Sequence, residues 1–182
     1  LVIGGTATIA AGSSYDITLN NASNNFATVI ITSGNNVTLV DAGAIALGAS
    51  TVSGTYSVTA PGAVTQSGAL AITGATTISA SGYNVTLNEA TNNFQGAVGI
   101  TGAVVSVVDA GAIILGASTV SGTYAVTATA GGGITDSGVL AITNGATFTV
   151  AGGQSIILDQ SSTFSSTVAF ASSGGGAIAA VT

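Results

Sequence analysis

A long internal copy limits what this chain can fold into more than any single residue does. The segment DAGAIALGASTVSGTYSVTA, from Asp41, returns as DAGAIILGASTVSGTYAVTA from Asp109, differing only at Ala46/Ile114 and Ser57/Ala125, at an offset of 109 − 41 = 68. The register holds outside this block. NNASNNF ending at Phe26 matches NEATNNF ending at Phe94, and Leu19 matches Leu87. Further on, QSGALAIT from Gln66 matches DSGVLAIT from Asp136, an offset of 136 − 66 = 70, and the lengthening falls where ATAGGG replaces APGA. The opening LVIGGTATI also parallels LAITGATTI from Leu70. Copies at a fixed period, with insertions confined to Gly-rich joints, mark a chain that stacks similar units and varies the turns between them.

The units read as strands. Apolar residues alternate in short bursts: Ile17 and Leu19, Val37 and Leu39, Leu70 and Ile72, Val85 and Leu87, Leu140 and Ile142, Ile156 and Leu158. Period two with β-branched enrichment gives strands with one buried face. Between them lie Gly34-Asn35-Asn36, Asp41-Ala42-Gly43 and Gly152-Gly153, residues that accept left-handed backbone. No stretch carries a helical period. The fold class is therefore all-β. About nine bursts between Ile17 and Leu87 make about three coils per repeat, or about 23 residues per coil of three sides. This is the arithmetic of a three-sided parallel β-helix, a β-solenoid of about eight coils and, at about 4.8 Å per coil, about 38 Å long. On this reading Leu39, Leu47, Leu87, Leu115, Leu140 and Leu158 point inward, and Asn24, Asn25, Asn92 and Asn93 form turn ladders. A β-sandwich is the competing architecture, but sandwiches do not require copies at a fixed offset.

Composition narrows function. The 182 residues include no Lys, Arg, His, Cys, Met or Trp, only 3% are charged, and the net charge is −6. Without cations to clamp phosphate, nucleic acid, nucleotides and anionic membrane surfaces are expected to be poor partners. Without Cys there is no disulfide framework or thiolate chemistry. Mean hydropathy is high at +0.72, yet Gly, Ser, Thr or Asn breaks every apolar stretch well short of the roughly 18 residues of a spanning helix. The strand signals are too short and the aromatics too few for an outer-membrane barrel.

The order NNF, DAGAI-LGASTVSG, VTA and SG-LAIT resembles the repeats of filamentous-haemagglutinin-type adhesins, exoproteins of bacterial two-partner secretion, over most of the chain. The resemblance implies a right-handed parallel β-helix, secreted and displayed as a fibre that binds host or neighbouring cells. These 182 residues include neither that family's amino-terminal secretion domain nor a cap, so export by that route is an expectation from the repeats alone.

The acidic residues are the sole candidates for chemistry. Asp41 and Asp109 take the same place in successive repeats, each followed by Ala-Gly, and read as turn residues. Sugar-cleaving β-helices need paired carboxylates in a groove, and lyases of this shape also use a basic residue, which this chain does not have. GGGITD at Gly131 to Asp136 approaches the calcium-loaded β-roll pattern, but Ile134 stands where Gly is needed and Gln66 is the counterpart of Asp136. The Thr-x-Thr triplets at Thr6, Thr127 and Thr147 fit an ice-binding rank locally without recurring at a coil spacing. Asn-x-Ser/Thr triplets at Asn21, Asn36 and Asn84 are expected by chance in such a composition and read as unmodified.

The expectation is a single solenoid segment over 1–182, an excerpt of a longer repetitive chain, with no catalytic, cofactor-binding or metal residues. It is expected to act as a non-enzymatic structural region of a secreted or cell-surface bacterial fibrous protein. The alternative is a self-assembling filament or sheath subunit, favoured by the near-absence of surface charge, and a polysaccharide-binding or polysaccharide-hydrolysing β-helix ranks below both. Expected partners are flanking repeats or identical subunits, together with cell-surface glycans or receptors, but no nucleic acid and no membrane insertion. The apolar, unblunted ends Leu1 to Ile3 and Ala177 to Val181 are expected to be covered by further repeats or neighbouring subunits.

Overall fold

Alternating side chains in short strands bury one face only when the strands stack, and the chain achieves this by coiling. A computed structural model describes all 182 residues. A nine-stranded parallel sheet contributes one strand per coil: Val2–Ala10, Asn25–Ser33, Ile45–Leu47, Val64–Gln66, Val85–Leu87, Val105–Asp109, Tyr124–Ala128, Ala146–Ala151 and Val168–Ser173. A second sheet faces it, stacking Ile17–Leu19, Val37–Val40, Tyr56–Thr59, Thr76–Ser79, Ala97–Gly102, Ile113–Leu115, Ile134–Asp136, Ser155–Ile157 and Ala180–Val181. The protein is a β-solenoid of nine coils, one more than the sequence arithmetic suggests, and at about 4.8 Å per coil the rod is about 43 Å long.

A third side is short and changes edge. Ser50–Val52, Leu70–Ile72 and Asn93–Phe94 stack on the path from the first sheet to the second. Their repeat equivalents Ser118–Val120, Leu140–Ile142 and Thr163–Phe164 stack on the opposite edge, between the second sheet and the first.

This exchange corrects the coil arithmetic. Ile45–Leu47 lies in the first sheet on the third coil, whereas its copy Ile113–Leu115 lies in the second sheet on the sixth. Val37–Val40 is in the second sheet on the second coil, and Val105–Asp109 in the first sheet on the sixth. Each repeat therefore covers seven half-coils, or three and a half coils rather than three. The coil is correspondingly shorter than expected: Val64 pairs with Val85, a step of 85 − 64 = 21, and Val85 with Val105, a step of 105 − 85 = 20. Because seven is odd, equivalent residues emerge on opposite sides of the rod. Tyr15 and Tyr83, equivalent and both exposed, precede strands of different sheets.

The core is one cluster of 38 buried apolar residues running from Ala7 in the first coil to Ile156 in the eighth. Inward ladders such as Val85, Val105, Tyr124 and Ala146 cross successive coils in register. Leu39, Leu47, Leu87, Leu115 and Leu140 are fully buried as expected, while Leu158, in the eighth coil, packs against the cluster but stays half-buried. The aromatic cluster near the end has Phe148 edge-on to Tyr124 and Phe164 at 6.0 Å and stacked with Phe170 at 5.9 Å.

The corners differ in part from the expectation. Gly82 and Gly153, equivalent turn positions, take positive φ (79° and 81°), but Gly34 and Gly43 do not, and no non-glycine residue does. Gly34 is required by close approach instead: a Cβ there would lie 2.8 Å from the Ile17 side chain.

Candidate functional site: buried polar clamps and a corner groove

Stacked coils bury their corners, so a polar side chain there must find a partner in the neighbouring coil. Asp41 is almost fully buried. Its Oδ2 accepts the Gly43 amide at 2.9 Å, the local turn expected from Asp-Ala-Gly. Its Oδ1 accepts the Phe26 amide at 2.6 Å, reaching across to the preceding coil. Asp109 repeats both bonds, with Phe94 and Gly111 at 2.8 Å each. These are therefore more than surface turn residues. Each carboxylate ties two coils together, and burial pushes the Asp109 carboxyl above the usual carboxylate range, against the two amides that draw it down.

Asn24 and Asn92 form a second clamp, in place of the asparagine ladder expected. Asn92 Oδ1 accepts the Leu70 amide at 2.9 Å, and its Nδ2 donates to Leu87 O and Val108 O. Asn24 accepts from the Leu1 amine at 2.7 Å and donates to Leu19 O at 3.0 Å. Three and a half coils separate the two, so they cannot meet. Asn25 and Asn93 are exposed. The third equivalent is a shorter residue, Ser162, whose Oγ accepts the Leu140 amide at 2.9 Å. Gln66 adds an amide pair with Asn92.

The serines of LGAS form the third clamp. Ser50 Oγ accepts the Ile31 amide at 3.1 Å and donates to Gly48 O at 2.9 Å, and Ser118 does the same with Ile100 and Gly116 at 3.0 Å each. Beside them the phenols of Tyr56 and Tyr124 are buried with no hydrogen-bond partner. Burial pushes both phenols far up; the Ser50 and Ser118 hydroxyls beside them pull the other way by less, without reaching hydrogen-bond geometry with the phenols.

A surface ladder runs along one corner of the first three coils. Asp16 Oδ1 accepts from Asn35 Nδ2, Asn36 N and Asn36 Nδ2 at 2.9 to 3.1 Å, and Asn36 Oδ1 accepts from Thr55 N and Oγ1 at 3.0 Å. The Asn36 amide is the main cause of a lowered Asp16 titration.

Asp136, considered for calcium, accepts the amides of Asp159 and Gln160 in the next coil and so joins coils as well. No group of acidic side chains is arranged to hold a metal ion. Of the Thr-x-Thr positions, Thr127 and Thr149 do lie opposite each other on adjacent coils, but the ladder continues as Val108 on one side and Ala171 on the other.

An open groove of about 350 Å³ runs across the corners of the first coils, lined by Ala22, Val40, Asp41, Thr59, Pro61 and Ser79 among others. Both oxygens of Asp41 there already accept amides, which leaves apolar walls and hydroxyls for any small neutral molecule. The corresponding corner around Asp109, where ATAGGG replaces APGA, has no such groove.

Comparison with known families gives three successive matches, at residues 1–33, 34–101 and 101–171, to a family described as repeats of unknown function (DUF5649). The chain belongs to this family. No curated protein and no solved structure matches it. The DUF5649 match at 34–101 begins at Gly34, between the two sheets of the second coil, and ends on the second-sheet strand of the fifth. The family unit is thus the same three-and-a-half-coil unit that places successive copies on opposite faces. The clamp residues recur within it, which the sequence signalled only as repeated Asp, Asn and Ser positions.

Proposed function

We propose that the chain is a structural length of rod within a secreted or cell-surface bacterial fibrous protein, an adhesin stalk or extracellular filament, and that it works by stiffness and not by catalysis. The observation that carries this reading is the continuous core of 38 residues from the first coil to the eighth, with side-chain bonds such as those of Phe26 to Asp41 and Phe94 to Asp109 tying neighbouring coils at the corners. Such a solid has no internal hinge and lengthens by a fixed step per repeat. Support for the extracellular setting comes from the resemblance of NNF and DAGAI-LGASTVSG to filamentous-haemagglutinin-type repeats.

The test is to insert one further repeat into the full protein, label it with antibody on intact cells and image it by electron microscopy. The expected result is surface labelling and a rod lengthened by about 17 Å, three and a half coils at about 4.8 Å. Labelling confined to the cell interior, or a coiled thread of variable length, would overturn the reading.

A second reading is a subunit whose rods pack laterally into a filament or sheath. It is favoured by the near-absence of charge, 3% with no cation, since isolated rods stay apart through charged faces. Mass per length separates the two, because a stalk gives one rod per cross-section and a sheath gives several.

A further inference from the structure

Asn144 is the sole asparagine followed by glycine, and it stands exposed at the corner between Leu140–Ile142 and Ala146–Ala151. It takes the place of Gly74 in the first copy: Gly74 N donates to Gly54 O at 2.9 Å, and Asn144 N to Gly122 O at a looser 3.3 Å. Its Nδ2 reaches Ser121 O of the preceding coil at 3.2 Å. The peptide unit joining Asn144 to Gly145 makes no hydrogen bond at either its carbonyl or its amide. That unit can rotate without breaking a bond, and Gly145 carries no Cβ to obstruct it. Other asparagines differ. After Asn25 and Asn93 the amides of Phe26 and Phe94 are held by Asp41 and Asp109, and after Asn36 and Asn84 the amides of Val37 and Val85 are held by Thr55 O and Val104 O.

We propose that Asn144 and Gly145 form a self-modifying site that turns Asn144 into aspartate and isoaspartate, with water as the only reagent. The Gly145 nitrogen attacks Cγ of Asn144 and closes a succinimide ring. The bond from Cγ to Nδ2 breaks, and ammonia leaves with the proton given up by the Gly145 amide. Water then adds to one of the two imide carbonyls and restores the Gly145 N–H. Opening at Cγ gives aspartate, and opening at the main-chain carbonyl gives isoaspartate. Either product loses the donor to Ser121 O and adds one negative charge to a chain of net charge −6. Isoaspartate also lengthens the main chain by one carbon just before Gly145, whose carbonyl accepts the Tyr124 amide at 3.0 Å, and before Ala146, which pairs in register with Tyr124. This corner of the second copy therefore loosens with age, whereas the first copy, with Gly74 at the same place, does not.

The test ages the 182-residue chain in warm buffer at neutral and mildly alkaline pH, unfolds it, and cleaves it with chymotrypsin after Leu140 and Phe148 to release Ala141 to Phe148 for mass spectrometry. The expected result is a gain of one mass unit in this peptide that grows with time and with hydroxide, about tenfold faster than at any other asparagine and about tenfold slower once Gly145→Ala is introduced. Labelling by an isoaspartyl methyltransferase identifies the rearranged product. The aged chain is expected to melt below the fresh one, and a chain carrying Asn144→Gly, which restores the residue of the first copy, to melt alike before and after ageing. Equal deamidation at all asparagines overturns the proposal, as does an Ala141 to Phe148 peptide that keeps its mass. An aged chain that carries the modification and still melts as the fresh one does overturns the loosening of the corner.

Discussion

The amide of Phe94 donates to Oδ1 of Asp109 at 2.8 Å, joining residues 15 apart in sequence and one coil apart in the rod. Phe26 and Asp41 form the same pair at 2.6 Å. Removing either carboxylate leaves two amides without their acceptor in a buried corner. Asp41→Ala and Asp109→Ala are each expected to lower stability by about 1–3 kcal/mol. Urea unfolding checks this, and an unchanged midpoint in both variants would show that the corner does not depend on the carboxylate.

Burial raises the Asp109 titration, and this determines the sign of its pH dependence. A carboxyl with a raised folded pKa favours folding below its unfolded value of about 3.9, and loses that contribution as pH rises through the folded pKa. Asp109→Asn removes the titration, so the stability of the natural chain relative to this variant should fall as pH rises through that window. Asp16 acts in the opposite sense. Its lowered titration gives a contribution present above the unfolded value and lost as pH falls through the folded one. Comparing the two chains across pH isolates Asp109, and a difference that grows with pH would contradict the assignment.

Leu87 is fully buried in the fifth coil, between Val107 in register on one side and the core. Leu87→Ala should cost about 2–5 kcal/mol through the cavity it leaves. Leu87→Asp should cost more, because an unpaired carboxylate would be buried. Hydrogen exchange across the fourth to sixth coils is the readout, and protection equal to that of the natural chain would mean the side chain faces solvent.

The buried phenols of Tyr56 and Tyr124 lack partners, and the neighbouring Ser50 and Ser118 hydroxyls already donate to Gly48 O and Gly116 O. Tyr56→Phe and Tyr124→Phe are therefore expected to be neutral or to stabilise by about 1 kcal/mol, since an unsatisfied buried hydroxyl is removed. A loss of stability in thermal unfolding would reveal a hydrogen bond that the folded chain makes.

Gly54, Gly74 and Gly96 stack at one corner, and a Cβ on Gly74 would lie 2.5 Å from Gly54 O. Gly74→Ala must push two backbones apart and is expected to cost about 1–3 kcal/mol. Gly82→Ala meets no neighbour and fails for a different reason, its positive φ. A stable Gly74→Ala chain would mean the coils can separate there.

Most of the architecture could be read before folding, because period-two alternation and a fixed repeat both survive in one dimension. Leu39, Leu47, Leu87, Leu115 and Leu140 fell inward for that reason. Leu158 is less covered because burial near the end of a rod depends on what lies beyond it. The clamps were less legible. Asp-Ala-Gly announces a turn, but the bond from Phe26 to Asp41 exists only once the next coil closes over the first.

By itself the amino-acid order determined the parallel all-β stack, the core positions and the unit that recurs. It left open how many coils that unit fills, since the stretch from Asp41 to its copy at Asp109 accommodates three longer coils as readily as three and a half shorter ones. Only the tertiary structure decided this, through the corners. Where backbones touch, as at Gly74, the turns are tight and the coil shortens to the step from Val85 to Val105. An odd number of half-coils then turns each copy to the opposite face, so Asp41 and Asp109, alike in sequence, are clamps on opposite edges of one rod.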